Sequence, residues 1–361
     1  MPKIASGQIG VALDMQGCPN RCRHCYVGSL PNRRMSEDDL RWAVGRFKDH
    51  FRDASGGLVV EKLSVCSWGR EPDFSDNYER LAALEAELGD GQPTRYELLS
   101  VWRLARDADY ARWAKRIGPD TCQISFFGLE RTQDFFHRRR GAFQDCLRAA
   151  ERLLEAGMKP RWQLFLTKKI LPDLGGLMKL IERMRIRQRV EALGGEFVMF
   201  IHPPALVGEG RKIAHLSATL EDTKLVPAEL AAATRKHFDS ERIWTTEGET
   251  VARIADDAEA VGPPYPYPSP KLWFLVAGNW DVFSNMGTTD PWWGLGNLKR
   301  EPVQAILESF ENDRILPLKV NRAEMLQELA RRYGDPHSRR VVNDIQQHWC
   351  ERYCQDAFAG R

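Results

Sequence analysis

The stretch GCPNRCRHCYVG, residues 17–28, places three thiols within a single short loop: Cys18, Cys22 and Cys25, spaced C-x3-C-x2-C. The residues between them, Pro19, Asn20, Arg21, Arg23 and His24, are polar or turn-forming, so this is no buried apolar segment. A surface loop with incidental cysteines leaves the crowding unexplained. A structural zinc ion usually takes its ligands as separated pairs; here His24, or the distant Cys350 and Cys354, would have to complete the set. A redox dithiol uses Cys22 and Cys25 and gives Cys18 no role. Iron–sulfur ligation uses all three. A cubane cluster has four irons, so three thiolates leave one iron open to a substrate or cosubstrate.

Outward from this loop the chain alternates strand and helix as far as about residue 205. The preceding QIGVALDMQ carries Ile9, Val11, Leu13 and Met15 on alternate positions and reads as a strand. Ser36 is placed to cap a helix bearing Leu40, Val44, Phe47 and Phe51, and Ser75 a second one bearing Tyr78, Leu81, Leu84 and Leu88. KLSVCSW, RYELLSVW, TCQISFFG, PRWQLFLTK and EFVMFIH read as further strands. Between them lie helices around DYARWAKRIG, along GAFQDCLRAAERLLEAG and through LGGLMKLIERMRIRQRV. Six such steps predict a parallel sheet, open or curled into a full or partial barrel, with ligands at the strand ends. The cysteine loop has that position after the first strand.

The remaining features bound the function. The 361 residues are 43% hydrophobic and 28% charged, an ordinary globular balance with a formal charge of only +2. That charge gives no sequence-wide drive toward nucleic acid, and no apolar run is long enough for a membrane span. With no signal segment and too few cysteines for a disulfide scaffold, the expected location is the cytoplasm. The alternation stops near residue 206. GPPYPYPSPK (262–271) reads as a proline-rich strap, and LWFLVAGNWDVFSN as a hairpin turning at Gly278–Asn279. The expected divisions are 1–215, a connecting segment 216–271, and a C-terminal unit 272–361.

With these residues in view, the chain resembles the radical S-adenosylmethionine (SAM) superfamily. That family's signature is C-x3-C-x2-C with an aromatic residue before the last cysteine; here His24 holds that place and Tyr26 follows Cys25. The resemblance implies an α/β fold, a partial (β/α)6 TIM-like barrel, and a [4Fe–4S] cluster on Cys18, Cys22 and Cys25. It further implies that SAM chelates the open iron and is cleaved reductively to a 5′-deoxyadenosyl radical that abstracts hydrogen from an unactivated C–H bond. CSWGREPDF looks like the family's Gly-Gly-Glu-Pro motif, so Gly69, Arg70 and Glu71 are expected to hold the methionine end of SAM. Arg70 departs from that pattern, because a glycine stands there in the family. QISFFG resembles the strand whose Ser-x-x-Gly end meets the SAM ribose and carboxylate, which assigns Ser125 with Gly128 to the pocket, along with His24 and Tyr26. The HRRR run, 137–140, lies where it would meet a carboxylate or phosphate.

The segment around the predicted hairpin is similar to the unit that opens the SPASM or twitch extension of the peptide-maturase branch. Asn285 stands where that branch begins its auxiliary-cluster cysteines, so the extension is expected to lack an auxiliary cluster. That favours redox-neutral chemistry: epimerisation, elimination or rearrangement. An epimerase needs a hydrogen donor, and Cys350 or Cys354 is a candidate. Only seven residues precede the first strand, which favours a sugar, nucleoside or amino-acid derivative over a leader-bearing peptide. Trp280, Trp292 and Trp293 would suit stacking on a ring. A flavodoxin- or ferredoxin-type protein is the expected electron donor. The rival readings are a SPASM-type peptide maturase and, from another class, a zinc-stapled module or a non-catalytic scaffold.

Overall fold

β1 (Gln8–Leu13) is the strand that leads into the cysteine loop, and it is paired on both edges. On one side lies β2 (Lys62–Cys66) and on the other β6 (Lys271–Val276), both parallel, with Ile9 opposite Leu63 and Leu272. β7 (Asp281–Ser284) and β8 (Gly296–Asn297) extend this sheet antiparallel, in the order β2-β1-β6-β7-β8. A second sheet is wholly parallel: β3 (Thr121–Phe126), β4 (Lys159–Phe165) and β5 (Met199–His202). The computed structural model describes residues 7–57, 59–91, 97–262, 271–284, 288–320 and 323–360.

The helices follow the local signals. Ser36 caps α1 (Glu37–His50) through a capping box with Asp39, and α1 buries Leu40, Val44 and Phe47, the last stacked on Phe274 of β6. α2 (Tyr78–Leu88) starts after Asn77 rather than at Ser75. α3 (Val101–Leu104) and α4 (Tyr110–Arg116) precede β3; α5 (Glu130–His137) and α6 (Ala142–Glu155) separate β3 from β4. The helix predicted between β4 and β5 is two, α7 (Leu174–Arg183) and α8 (Ile186–Ala192), because Arg185 adopts φ +50. After β5 come α9 (Ala228–Phe238), α10 (Glu247–Asp256) and α11 (Ala258–Val261). After β8 come α12 (Val303–Glu311), α13 (Leu316–Lys319), α14 (Ala323–Tyr333) and α15 (Ile345–Ala359).

RYELLSVW is where the pattern misleads. Its described part, from residue 97, enters no ladder: Glu97 turns at φ +62, and Ser100 accepts from the Arg103 N–H to cap α3. The Glu97 carbonyl still reaches the sheet edge, accepting from the Gln123 N–H at 3.0 Å. The parallel arc is therefore interrupted between β2 and β3, and the two sheets do not close into a barrel. The α/β class and its parallel strands are those expected for a partial barrel.

Two cores result. One packs the first sheet against α1, α12, α14 and α15; the other packs the second sheet against α4, α6, α7 and α8. Residues of β1, β2 and β6 share the first core with Trp293, Trp349, Cys350 and Cys354, so the C-terminal helices bury the same sheet as the N-terminal strand. The hairpin turns at Gly278–Asn279, where the Trp280 N–H donates to the Ala277 carbonyl. Most of the proline-rich strap, and Asn285 with Met286, fall outside the described residues. Among those described, no helix is long and apolar enough to cross a membrane.

Candidate active site

The loops that leave β1, β2 and β3 surround one cavity of about 730 Å³. Cys18, Cys22, Cys25, His24, Tyr26, Gly69, Arg70, Glu71 and Ser125 all line it, although they come from three separate stretches of chain. The cysteine loop is fastened on several sides. Asn32 donates from Nδ2 to the Cys18 carbonyl at 2.9 Å and accepts the Cys18 N–H at 3.1 Å. The Arg23 N–H donates to the Phe136 carbonyl, and the Glu209 N–H to the Cys25 carbonyl at 2.9 Å. Thr289, beyond the hairpin, donates both its N–H and its hydroxyl to the Val27 carbonyl at 2.7 Å. Gly208 has φ +54, and a Cβ there would lie 2.5 Å from the Tyr26 carbonyl oxygen; only glycine allows that approach.

The three thiols are half-buried and free of disulfides. Burial pushes all three up from the ordinary thiol range; Glu71 adds to this at Cys18, as does the neighbouring Cys25 at Cys22. Three desolvated sulfurs beside a carboxylate are poor places for bare negative charge, and a cationic centre that takes all three relieves this.

Glu71 faces the same space. Its Oε1 accepts from the Ser100 hydroxyl at 2.6 Å, and Cys18 Sγ stands 3.8 Å from Oε2. Burial raises its pKa, and the Ser100 hydrogen bond opposes the rise. Gly69 passes so close to β6 that a Cβ would fall 2.4 Å from Leu275 Cδ1. Arg70 stands at an ordinary negative φ, so replacing the family's glycine strains nothing. Its guanidinium turns to Asp14 at the end of β1 and to the Leu30 carbonyl, which ties the second motif to the first.

His24 packs against Phe127 at 4.1 Å and Phe165 at 5.2 Å. Burial holds its pKa well below the usual imidazole value, so it is neutral, and its Nδ1 is buried without a hydrogen-bond partner. The Trp68 indole N–H, also on the cavity wall, is buried and unpaired in the same way. Ser125 donates its hydroxyl to Gln163 Oε1 at 3.1 Å, which leaves its lone pairs to face the cavity. Tyr26, 63% exposed, stands at the opening.

Cys350 and Cys354 are not brought to this site. Both are wholly buried on α15, within the first core, and the residues lining the cavity do not include them. Trp292 and Trp293 are buried beside them, their indoles donating to Glu351 at 2.8 and 2.6 Å. Trp280 packs on Trp42 at 5.1 Å, with the Lys299 ammonium over both rings. His137, Arg138 and Arg139 of the HRRR run also line the cavity, and Trp68, Trp102, Gln123, Cys146 and Glu209 line it without having been singled out. Trp68 adjoins Gly69 and Gln123 lies two residues before Ser125, so strand alternation gives a signal for both. Cys146 and Glu209 carry no local signal; only the tertiary fold brings them in.

Residues 13–168 match a family model, that of the Radical SAM superfamily. Over that stretch, which is under half of the chain, it is similar to the radical SAM superfamily. It is also similar to the Fe-coproporphyrin III synthase of Methanosarcina barkeri (strain Fusaro / DSM 804), 22% identical over 225 residues. That match takes in 61% of this chain and 49% of the relative, so it spans about half of the relative's length. Among solved structures, native anSMEcpe with bound AdoMet is similar over 98% of both chains, with a TM-score of 0.52 and 14% identity. The same protein with bound AdoMet and Cp18Cys peptide is similar over 98% of both, with a TM-score of 0.51 and 14% identity. At that identity the likeness is one of fold.

The radical SAM family's cofactors are a [4Fe–4S] cluster and SAM, and the residues lining the cavity fit both. Three sulfurs would serve the cluster, and two orphaned buried N positions, His24 Nδ1 and Trp68 Nε1, await partners. Among the described residues no three His, Cys, Asp or Glu side chains converge tightly enough for a single metal ion. A cubane binds each thiolate through a different iron.

Proposed function

We propose that this radical SAM enzyme abstracts hydrogen from a C–H bond of a small-molecule or peptide natural-product substrate, in a redox-neutral reaction such as epimerisation, elimination or rearrangement. One observation carries the catalytic reading: the cysteine triad, the Gly69–Glu71 turn and Ser125 share a single cavity. Cys18, Cys22 and Cys25 would hold the cluster, and when bound with SAM it supplies a 5′-deoxyadenosyl radical. Glu71 offers a carboxylate to the methionine ammonium, Ser125 accepts from the ribose hydroxyls, and His24 gives a neutral ring wall. Arg70 acts through Asp14 and the Leu30 carbonyl, holding the two motifs in register.

The redox-neutral assignment is supported by where the other thiols lie. Cys66, Cys122, Cys350 and Cys354 are buried and do not line the cavity, and Cys350 and Cys354 adjoin each other on α15 as a pair, two thiols short of a second cubane's usual four. A peptide substrate, as in a maturase, has the support of a fold that in anSMEcpe accommodates the Cp18Cys peptide. Free thiols at all eight cysteines fit a reducing compartment, and we place the enzyme in the cytoplasm.

Anaerobic reconstitution tests the assignment. The protein is expected to take up iron and sulfide, and dithionite with SAM should release 5′-deoxyadenosine. Cys22→Ala should abolish both. Zinc without sulfide, or cleavage that survives the substitution, would overturn it.

A further inference from the structure

We propose that Glu351, on the C-terminal helix α15, is a positioning residue for the Cys25 side of the cysteine loop. It acts by joining the two segments whose backbones hold that side. Its consequence for a bound cluster rests on the radical SAM reading; the clamp itself is a matter of this chain's own contacts.

The cysteine loop is held differently on its two sides. Near Cys18 and Cys22 the partners are Asn32 and the end of α5, where the Arg23 N–H donates to the Phe136 carbonyl at 2.7 Å. Past Cys25 the partners come from much later in the chain. The Glu209 N–H donates to the Cys25 carbonyl, and Thr289 donates its N–H and hydroxyl to the Val27 carbonyl. Glu209 lies in one 3-10 turn, Gly208–Leu216, and Thr289 just precedes another, Pro291–Trp293.

Both turns converge on one carboxylate. Glu351 Oε1 accepts the Trp293 indole N–H at 2.6 Å, and Oε2 accepts the Trp292 indole N–H at 2.8 Å and Arg211 Nη1 at 3.0 Å. Arg211, two residues after Glu209, also pairs with Asp290 at 2.9 and 3.1 Å. The Thr288 hydroxyl donates to Asp290 Oδ2 at 2.7 Å, so the residues on either side of Thr289 are fixed to each other. His348, on the same helix, bonds the Leu206 carbonyl, so α15 reaches the first segment twice. The Glu351 side chain is 1% exposed. Burying a carboxylate costs free energy that an apolar side chain of the same volume would not, so packing α15 gives no reason for an acid here. Three N–H donors from two separate turns do give one, because charge-assisted hydrogen bonds are the stronger kind. A glutamine would keep one acceptor oxygen and set an NH2 group against donors, which releases one arm of the clamp.

The first test is amide hydrogen exchange on the metal-free full-length chain. Burial pushes the Glu351 pKa up to about 7, so exchange is followed at about pH 8, where the carboxylate is ionised. In Glu351→Gln the Glu209 and Thr289 amides should exchange roughly tenfold faster, and the Arg23 amide at the wild-type rate. Cys350→Ala disturbs the packing of the same helix and keeps the carboxylate; it should not separate those two amides from Arg23. After reconstitution, Glu351→Gln should release iron to a ferrous chelator roughly tenfold faster than wild type. Unaltered exchange at Glu209 and Thr289 overturns the proposal, as does an equal acceleration at Arg23. Selective exchange with iron release at the wild-type rate overturns the positioning role. If Glu351→Gln does not fold, Arg211→Gln breaks the same joint from the other arm and must speed the same two amides. A wild-type protein that takes up no iron or sulfide refutes the radical SAM reading instead, and the exchange measurement still decides the clamp.

Discussion

Arg70 and Asp14 form an ion pair at 2.6 Å in which both side chains are almost wholly buried, 7% and 3% exposed. The pair joins the turn after β2 to the end of β1, and Arg70 Nη1 adds a hydrogen bond to the Leu30 carbonyl at 2.7 Å. Removing one member of such a pair leaves a buried charge without its partner. Arg70→Gly, which restores the residue usual in the family, is therefore expected to destabilise the protein by about 3 kcal/mol. The double variant Arg70→Gly/Asp14→Asn should recover part of that loss. Urea unfolding of the two singles and the double closes the cycle, and additive losses would show that the pair is not coupled.

Glu71 offers a second, functional expectation. Glu71→Gln keeps an acceptor for the Ser100 hydroxyl and removes the charge. A hydrogen bond to an ionised group contributes about 1.5–3 kcal/mol, so SAM binding should weaken by roughly tenfold to a hundredfold. Iron and sulfide content should stay unchanged, because Glu71 is not among the proposed cluster ligands. Equilibrium binding of SAM to the reconstituted variant measures this, and unaltered affinity would remove Glu71 from the SAM pocket.

Cys350 and Cys354 can be separated from catalysis by substitution. Their burial on α15, away from the cavity wall, favours a packing role. Cys350→Ala and Cys354→Ala should each lower stability by about 1 kcal/mol, the loss expected on removing one buried sulfur, and leave 5′-deoxyadenosine production intact. If either variant folds and cleaves SAM but no longer delivers solvent deuterium to product, a hydrogen-donor role is restored.

Buried histidines predict acid sensitivity. His348 Nδ1 bonds to the Leu206 carbonyl at 2.7 Å, and burial pushes its pKa down to about 4. His202 is likewise held down to about 4 by burial. Between the ordinary value of 6.5 and about 4 the unfolded chain binds protons that the folded chain refuses. Their contribution is fully present above pH 6.5 and is lost as pH falls toward 4, at most about 1.4 kcal/mol per unit for each residue. His348→Asn retains a donor for Leu206 and does not titrate. Its melting temperature should therefore depend less steeply on pH across that interval than the wild type's.

Much of the site was readable from local chemistry. The cysteine spacing, the Gly69–Pro72 turn and the Ser125 strand end are each recognisable within a few residues, and all three meet in the cavity. What stayed hidden depends on distant parts of the chain. RYELLSVW has strand composition, yet the turn at Glu97 and the cap at Ser100 prevent a ladder. Helical periodicity runs through Met184 and Arg185, but the left-handed conformation at Arg185 divides the helix. Glu209 and Thr289 hold the cysteine loop through backbone carbonyls, a contact that neither side chain announces. The thiols of α15 were readable as residues but not as neighbours, because placing them required knowing which sheet the tail covers.

The pairing of β1 with β6, Gln8 opposite Lys271 and Leu13 opposite Val276, has a consequence for biogenesis. A nascent chain emerges with its cysteine loop first, while the strand that flanks that loop on one side is still more than two-thirds of the gene away. Until residues 271–276 are made, Gly69 has no Leu275 to lean on and Val27 no Thr289 to receive. A ribosome-bound fragment ending before the hairpin lacks these supports and should be unable to retain iron.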